Sequence, residues 1–274
     1  MNSGPDAPAP LRIALIAHLS EVSGAGTALL EVARGLDPGR FEATLILPGE
    51  GPLADRARSA GVAPVVVPNP EHSFGVVGAA GALRLLRDRA AYVFRLQRFL
   101  RRSRPDLVYV NSAVSVFAGV AARLAGLPVV WHVHETFDRP GPAARIKLAL
   151  VERLSRAILY ASASAEAAFP ASRVALRLTP RNFVPVEEIA AALPAQDEEI
   201  AALGLAPASI LIVASGLIRR KGADILLRSF ADLNARRPGA LALLIVGEAP
   251  PDSGGFARSL RDFATAQGLD GAVA

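Results

Sequence analysis

Residues 215–222 read S-G-L-I-R-R-K-G. Three successive cations, Arg219, Arg220 and Lys221, precede a glycine and then a stretch, 223–234, whose apolar residues Ile225, Leu226, Phe230 and Leu233 recur at helical spacing. A short apolar run, 210–213, comes first and reads as a buried strand. Strand, cationic turn and helix start together can make an anion site. The N–H groups of a helix N-terminus face outward, and the side chains add positive charge. A diphosphate suits this donor set, because arginine grips oxygens in pairs and lysine adds a point charge. The octet also reads as a plain solvated basic turn.

Residues 130–135 read V-W-H-V-H-E. On a strand, His132 and His134 face the same side. A metal would need a third ligand, and the other histidines are His18 and His72, with no cysteine in the chain. The alternative is one packed and one exposed histidine. Position favours a functional role for at least one. In open α/β sheets, ligands bind beyond the carboxyl ends of the strands. His134 and Glu135 fall at such an end, as do His18 after the first expected strand and Asn111-Ser112 after the fourth.

Gly24-x-Gly26 suggests a dinucleotide fingerprint but lacks its spacing. Leu29 stands where a third glycine belongs, and six residues separate the strand from Gly24. A glycine-bearing bend at a helix start still lets backbone approach a phosphate or sugar closely. No G-x-S-x-G, no G-x-x-x-x-G-K-[ST] and no carboxylate pair of evident spacing occurs.

The elements that must position these residues follow from periodicity. Apolar runs at 11–17, 43–47, 64–67, 107–110, 129–133, 158–161 and 174–178 read as strands. Helical spacing appears over 28–36, 52–60, 114–125 and 143–156, and in a basic region from Arg84 to Arg104 that Pro105 stops. This alternation predicts an α/β fold with a doubly wound sheet. Half of the 274 residues are hydrophobic, enough for a sizeable core. Prolines 180, 185 and 194 and the acidic run 197–199 break the rhythm and place a linker at 181–206. A first domain is thus expected at 11–180. A second, at 207–274, holds too few strands to close alone, so a truncated second domain is expected.

The net charge of +5 comes largely from arginine, with eight arginines and one aspartate between Arg84 and Arg104. Leu85, Leu86, Val93, Phe94, Leu96, Phe99 and Leu100 share that stretch. Helical apolar spacing favours a core helix with a basic outer face. A peripheral helix on an anionic membrane is the alternative. No nucleic-acid motif accompanies the charge, so no nucleic-acid partner is expected. The polar, proline-rich first ten residues and the lack of a long apolar run point to a soluble, cytoplasmic protein, with contact at the cytoplasmic face of a membrane as the further option.

Taken in order, these segments resemble the retaining, nucleotide-sugar-dependent glycosyltransferases of family 4, of GT-B architecture. Residues 23–36 are similar to the family's glycine loop and first helix, and 47–53 to the turn after its second strand. Residues 105–112 resemble its fourth strand, 131–135 its fifth strand with the active-site histidine, 215–227 its donor-phosphate loop, and 243–248 the next strand and turn at Gly247. The resemblance implies two Rossmann-like domains with an acceptor side and a donor side. By it, Gly24, Ala25, Gly26, Arg220 and Lys221 would bind the donor diphosphate. His134 and Glu135 would serve the chemistry, and His18, Asn111, Ser112, Arg219 and Gly247 would lie nearby. It implies a nucleoside-diphosphate sugar as donor, a glycan or lipid acceptor as in polysaccharide biosynthesis, and no metal or other cofactor. Two departures stand out. Ser215-Gly216 replaces a Gly-Arg pair, and the family's pair of glutamates seven residues apart is not found after Gly247. The reading is therefore a glycosyltransferase whose 274 residues turn over weakly or not at all. The alternative is a non-catalytic sugar-, acceptor- or partner-binding module derived from one.

Overall fold

β1 (Leu11–Ile16), β4 (Leu107–Asn111) and β5 (Val129–Val133) are short and almost wholly apolar, as strands covered on both faces must be. They form the middle of a parallel seven-stranded sheet of order β3-β2-β1-β4-β5-β6-β7. The other members are β2 (Phe41–Leu47), β3 (Val65–Val66), β6 (Ala157–Tyr160) and β7 (Leu176–Leu178). The computed structural model describes residues 9–69, 79–137, 140–170, 172–180, 186, 202, 210–215, 217, 219–247 and 254–274. Apart from two isolated positions, the expected linker at 181–206 lies outside them, as does most of the 68–80 loop.

The strands are joined by α1 (Gly24–Gly35), α2 (Pro52–Ser59), α3 (Ala79–Ser103), α4 (Val116–Leu124) and α5 (Pro142–Leu154). A short helix, α6 (Ala163–Glu166), precedes β7. Successive strand residues point to opposite faces, and the core divides accordingly. Leu15, Leu45 and Leu47 pack with Leu29, Leu30 and Leu53 of α1 and α2. Ile16, Ile46, Val108 and Val110 pack with Leu96 and Leu100 of α3, Val116 of α4 and Val151 of α5. Every connection runs from the carboxyl end of one strand to the amino end of the next. All the loops that can bear chemistry therefore gather at one edge.

The basic helix packs on the core with one side and leaves large apolar residues exposed on the other. Tyr92, Leu96 and Leu100 are buried against the sheet, and Val93 and Phe99 pack partly on the same core. Leu86 and Phe94 of the same helix are exposed.

The chain divides into two compact units, Met1–Phe183 and Val184–Ala274. In the second, β8 (Ile210–Ser215) pairs in parallel with β9 (Leu241–Val246). A 3-10 turn (Arg219–Lys221) and α7 (Ala223–Arg236) connect them, and α8 (Gly254–Ala266) follows. Leu227 and Phe230 of α7, Leu243 of β9 and Leu260 of α8 form this unit's core. The last residues add to the sheet: Leu243 N–H donates to the Ala272 carbonyl, and Ala274 N–H to that of Leu243.

Candidate active site

Three elements of the first unit converge at the carboxyl edge of its sheet: the start of α1, the end of β4 and the end of β5. The helix begins earlier than its apolar spacing suggests, at Gly24 rather than near Ala28. Ser23 is the reason. Its backbone is extended, and its Oγ accepts from the Gly26 N–H at 3.1 Å while its carbonyl accepts from Thr27 N–H at 2.8 Å. A serine placed so is a strong N-cap. The Gly24-Ala25-Gly26 bend is thus the first turn of a helix, not a loop before it. Gly24 and Ala25 N–H groups have no carbonyl one turn back within that helix. With the helix dipole behind them they favour an anion.

Asn111, the last residue of β4, is fully buried and ties this turn to β5. Its Nδ2 donates to the Ala25 carbonyl at 2.9 Å, and its Oδ1 lies 2.8 Å from His134 Nε2. The pair of contacts fixes the chemistry. A carbonyl only accepts, so the amide nitrogen must face Ala25. The amide oxygen also only accepts, so His134 must carry its proton on Nε2. Nδ1 is left with its lone pair. Burial lowers the His134 pKa, with Glu135 acting weakly the other way, so the ring is neutral at pH 7. Its free nitrogen is a hydrogen-bond acceptor for a hydroxyl.

Ser112, next in the chain, adopts φ +84, a left-handed backbone that costs a non-glycine residue on the order of 1–3 kcal/mol. Glu135 holds it there. The Ser112 hydroxyl donates to one carboxylate oxygen. The other accepts from Ala113 N–H at 2.9 Å and from His134 N–H at 3.3 Å. Trp131 Nε1 donates to the Ser112 carbonyl at 2.9 Å, and Ser112 N–H to that of His132 at 2.8 Å. Glu135 is therefore built into the β4–α4 corner. Two signals announce it in the sequence: a polar pair at a strand end and an acid one strand over.

The other histidines sit differently. His132 is 4 % exposed, its Nδ1 lies 2.6 Å from the Tyr109 hydroxyl, and its ring centroid is 4.0 Å from that of His134. Burial, reinforced by His134, lowers its pKa to about 3, while burial raises that of Tyr109. The two rings do share one side of the strand, one packed and one half-buried. No group of three ligating side chains that could hold a metal ion occurs among the described residues. His18 is half-buried in the segment between β1 and α1. That segment is held by Ser20, whose Oγ donates to the Gly49 carbonyl at 2.9 Å and whose carbonyl accepts from Leu53 N–H.

In the second unit the cationic turn ends at Gly222, whose φ of +74 needs a glycine, and α7 starts there. Lys221 is exposed. Arg219 is engaged: it lies 3.6 Å from Asp224 and 4.9 Å above the Phe256 ring. That makes it a poorer stand-in for the cation absent at Ser215-Gly216 than the sequence suggests. Gly247, exposed and with φ +143, follows β9 at the same end of its strand pair.

A parallel sheet of this order with polar groups on adjoining strand-to-helix corners defines a Rossmann-like α/β protein. The model of the glycosyl transferase 4-like domain matches residues 23–216, and the chain belongs to that family. No curated protein matches it by sequence. Among solved structures it is similar to HepE of Anabaena, determined in complex with UDP and glucose: TM-score 0.72, 20 % identity, 96 % of this chain and 68 % of that one. A glycosyltransferase from Rickettsia africae gives TM-score 0.65 at 12 % identity over 97 % of this chain and 68 % of its own. A UDP-N-acetylglucosamine 2-epimerase from Rickettsia bellii gives 0.61 at 12 % identity, with 97 % and 68 % covered. At such identities the likeness speaks for the fold, which transferases and epimerases share.

Proposed function

We propose that the chain transfers a sugar from a nucleoside-diphosphate donor to a glycan or lipid acceptor with retention at the anomeric carbon. The observation that carries this reading is the Asn111 bridge. It joins an anion-favouring helix start, through the Ala25 carbonyl, to a neutral imidazole whose free nitrogen is defined. Gly24 and Ala25 offer backbone N–H groups to donor phosphate oxygens, and Gly26, whose N–H is held by Ser23, keeps that first turn free of a side chain. Arg220 and Lys221 neutralise the charge that grows on the diphosphate as it leaves. In the transfer step the bond between the anomeric carbon and the diphosphate oxygen breaks. The acceptor oxygen bonds that carbon on the same face, and its proton passes to the leaving phosphate. His134 accepts a hydrogen bond at Nδ1 from a sugar or acceptor hydroxyl and orients it. Glu135 is a positioning residue that fixes the Ser112 corner and the His134 backbone.

Calorimetric titration of UDP-sugars into the chain tests the assignment. Lys221→Ala removes one charge-assisted bond and weakens binding about tenfold to a hundredfold, while uridine binding stays unchanged. Failure of any nucleotide sugar to bind, with acceptor binding intact, would instead support a non-catalytic module.

A further inference from the structure

The outer face of α3 combines features that neither the core nor the candidate site uses. Leu83, Leu86 and Phe94 are 70, 66 and 62 % exposed. With the exposed Ala90 they follow one another at steps of three, four and four residues, so they form one stripe. The opposite side of the helix is accounted for by Tyr92, Leu96 and Leu100 in the core. Arginines surround the stripe. The 25-residue helix carries seven of them and one acid, Asp88. That aspartate is already shared by Arg84 at 3.7 Å and Arg87 at 3.2 Å. Arg98 and Arg102 are exposed, with no acidic residue on the helix to offset them. A row of large apolar groups in water, bordered by uncompensated cations, needs an occupant that offers both apolar depth and negative charge.

We propose that this face docks the protein on an anionic phospholipid bilayer, with α3 lying along the surface. Leu83, Leu86 and Phe94 enter the acyl boundary, and Arg84, Arg87, Arg98 and Arg102 meet lipid phosphates. At 1.5 Å per residue the helix presents about 37 Å of contact. Nucleic acid would engage the arginines but leaves the two leucines and the phenylalanine wet. A second copy would bring the same excess of positive charge against itself. The inference does not depend on the donor assignment, and none of its residues belongs to the candidate active site.

Co-sedimentation of the full chain with vesicles of phosphatidylcholine, alone or mixed with phosphatidylglycerol, tests it. The chain is expected to pellet with the mixed vesicles and not with phosphatidylcholine alone, and added salt weakens the binding. Leu83→Ser/Leu86→Ser/Phe94→Ser, at exposed positions, lowers the affinity at least tenfold with an unchanged circular dichroism spectrum. Arg98→Ala and Arg102→Ala each lower it about fivefold. Phe94→Trp supplies a direct reporter, since the one native tryptophan, Trp131, is fully buried. Its emission shifts to the blue on vesicle addition. The proposal is overturned by equal pelleting on both vesicles, by a triple variant that binds like the parent, or by a stripe-dependent dimer that ignores vesicles. Preferential binding of single-stranded RNA, lost in the arginine variants, would overturn it too.

Discussion

His134 has one proton to place, and Asn111 decides where it goes. In the parent chain, nitrogen-15 NMR of the imidazole should show a single neutral tautomer with the proton on Nε2. Asn111→Ala removes the acceptor and should give a mixture of tautomers. The same variant frees the Ala25 carbonyl, so nucleotide-sugar binding falls with it. A single unaltered tautomer in the variant would contradict the account. Because burial holds the His134 pKa below its ordinary 6.5, donor binding should be flat from about one pH unit above that value upward. Little of this is written in the sequence. The type and rough place of His134, Glu135, Asn111 and Ser112 follow from strand ends. The two-way bond of Asn111, the positive φ of Ser112 and the three donors on Glu135 depend on two strands lying side by side. Arg219 illustrates the same limit, since the acid that engages it, Asp224, is five residues on in the next helix.

At the level of elements, β4, β5 and α4 form the wedge that sets the corner. Gly119 of α4 lies so close to Trp131 that an added Cβ would overlap the indole ring. Trp131 is fully buried and cannot swing away without releasing its bond to the Ser112 carbonyl. Gly119→Ala should therefore destabilise the chain by about 1–3 kcal/mol, read as a lower denaturant midpoint. An unchanged midpoint would show that the wedge is loose.

His132 gives the same elements a pH signature. Its pKa is lowered from 6.5 to about 3, so the unfolded chain binds the extra proton first as pH falls. Stability then drops as pH decreases through 6.5 and toward 3, by up to about 1.4 kcal/mol per unit from this group. The slope is about half of that at pH 6.5 and fades roughly one unit above it. His132→Gln keeps a partner for Tyr109 and should flatten that part of the curve. If parent and variant fall in parallel, the burial of His132 is not what the acid limb reports. Periodicity located β5 to the residue and β1 and β4 to within one, because each is a short, mostly apolar run. It missed the first turn of α1, because a cap is a matter of one side chain, and it missed α6, which is too short to show a period.

For the molecule as a whole, the parallel order and the pooling of polar residues at one edge were legible in the alternation of apolar runs with helical stretches. They agree with membership of the glycosyl transferase 4-like family. The proposal that concerns the whole molecule most is that the start of α1 takes a phosphate of the nucleotide-sugar donor. Gly24 is the place to test it. A Cβ added there meets nothing within 4 Å, and an acid in the first turn of a helix stabilises it by about 0.3–1 kcal/mol. In Gly24→Asp, fold stability and donor binding should part company. Thermal midpoint and UDP-sugar affinity, measured on one preparation, are predicted to move oppositely, the midpoint holding or rising while affinity falls at least tenfold. A variant as stable as the parent that binds the nucleotide sugar equally well would contradict the account.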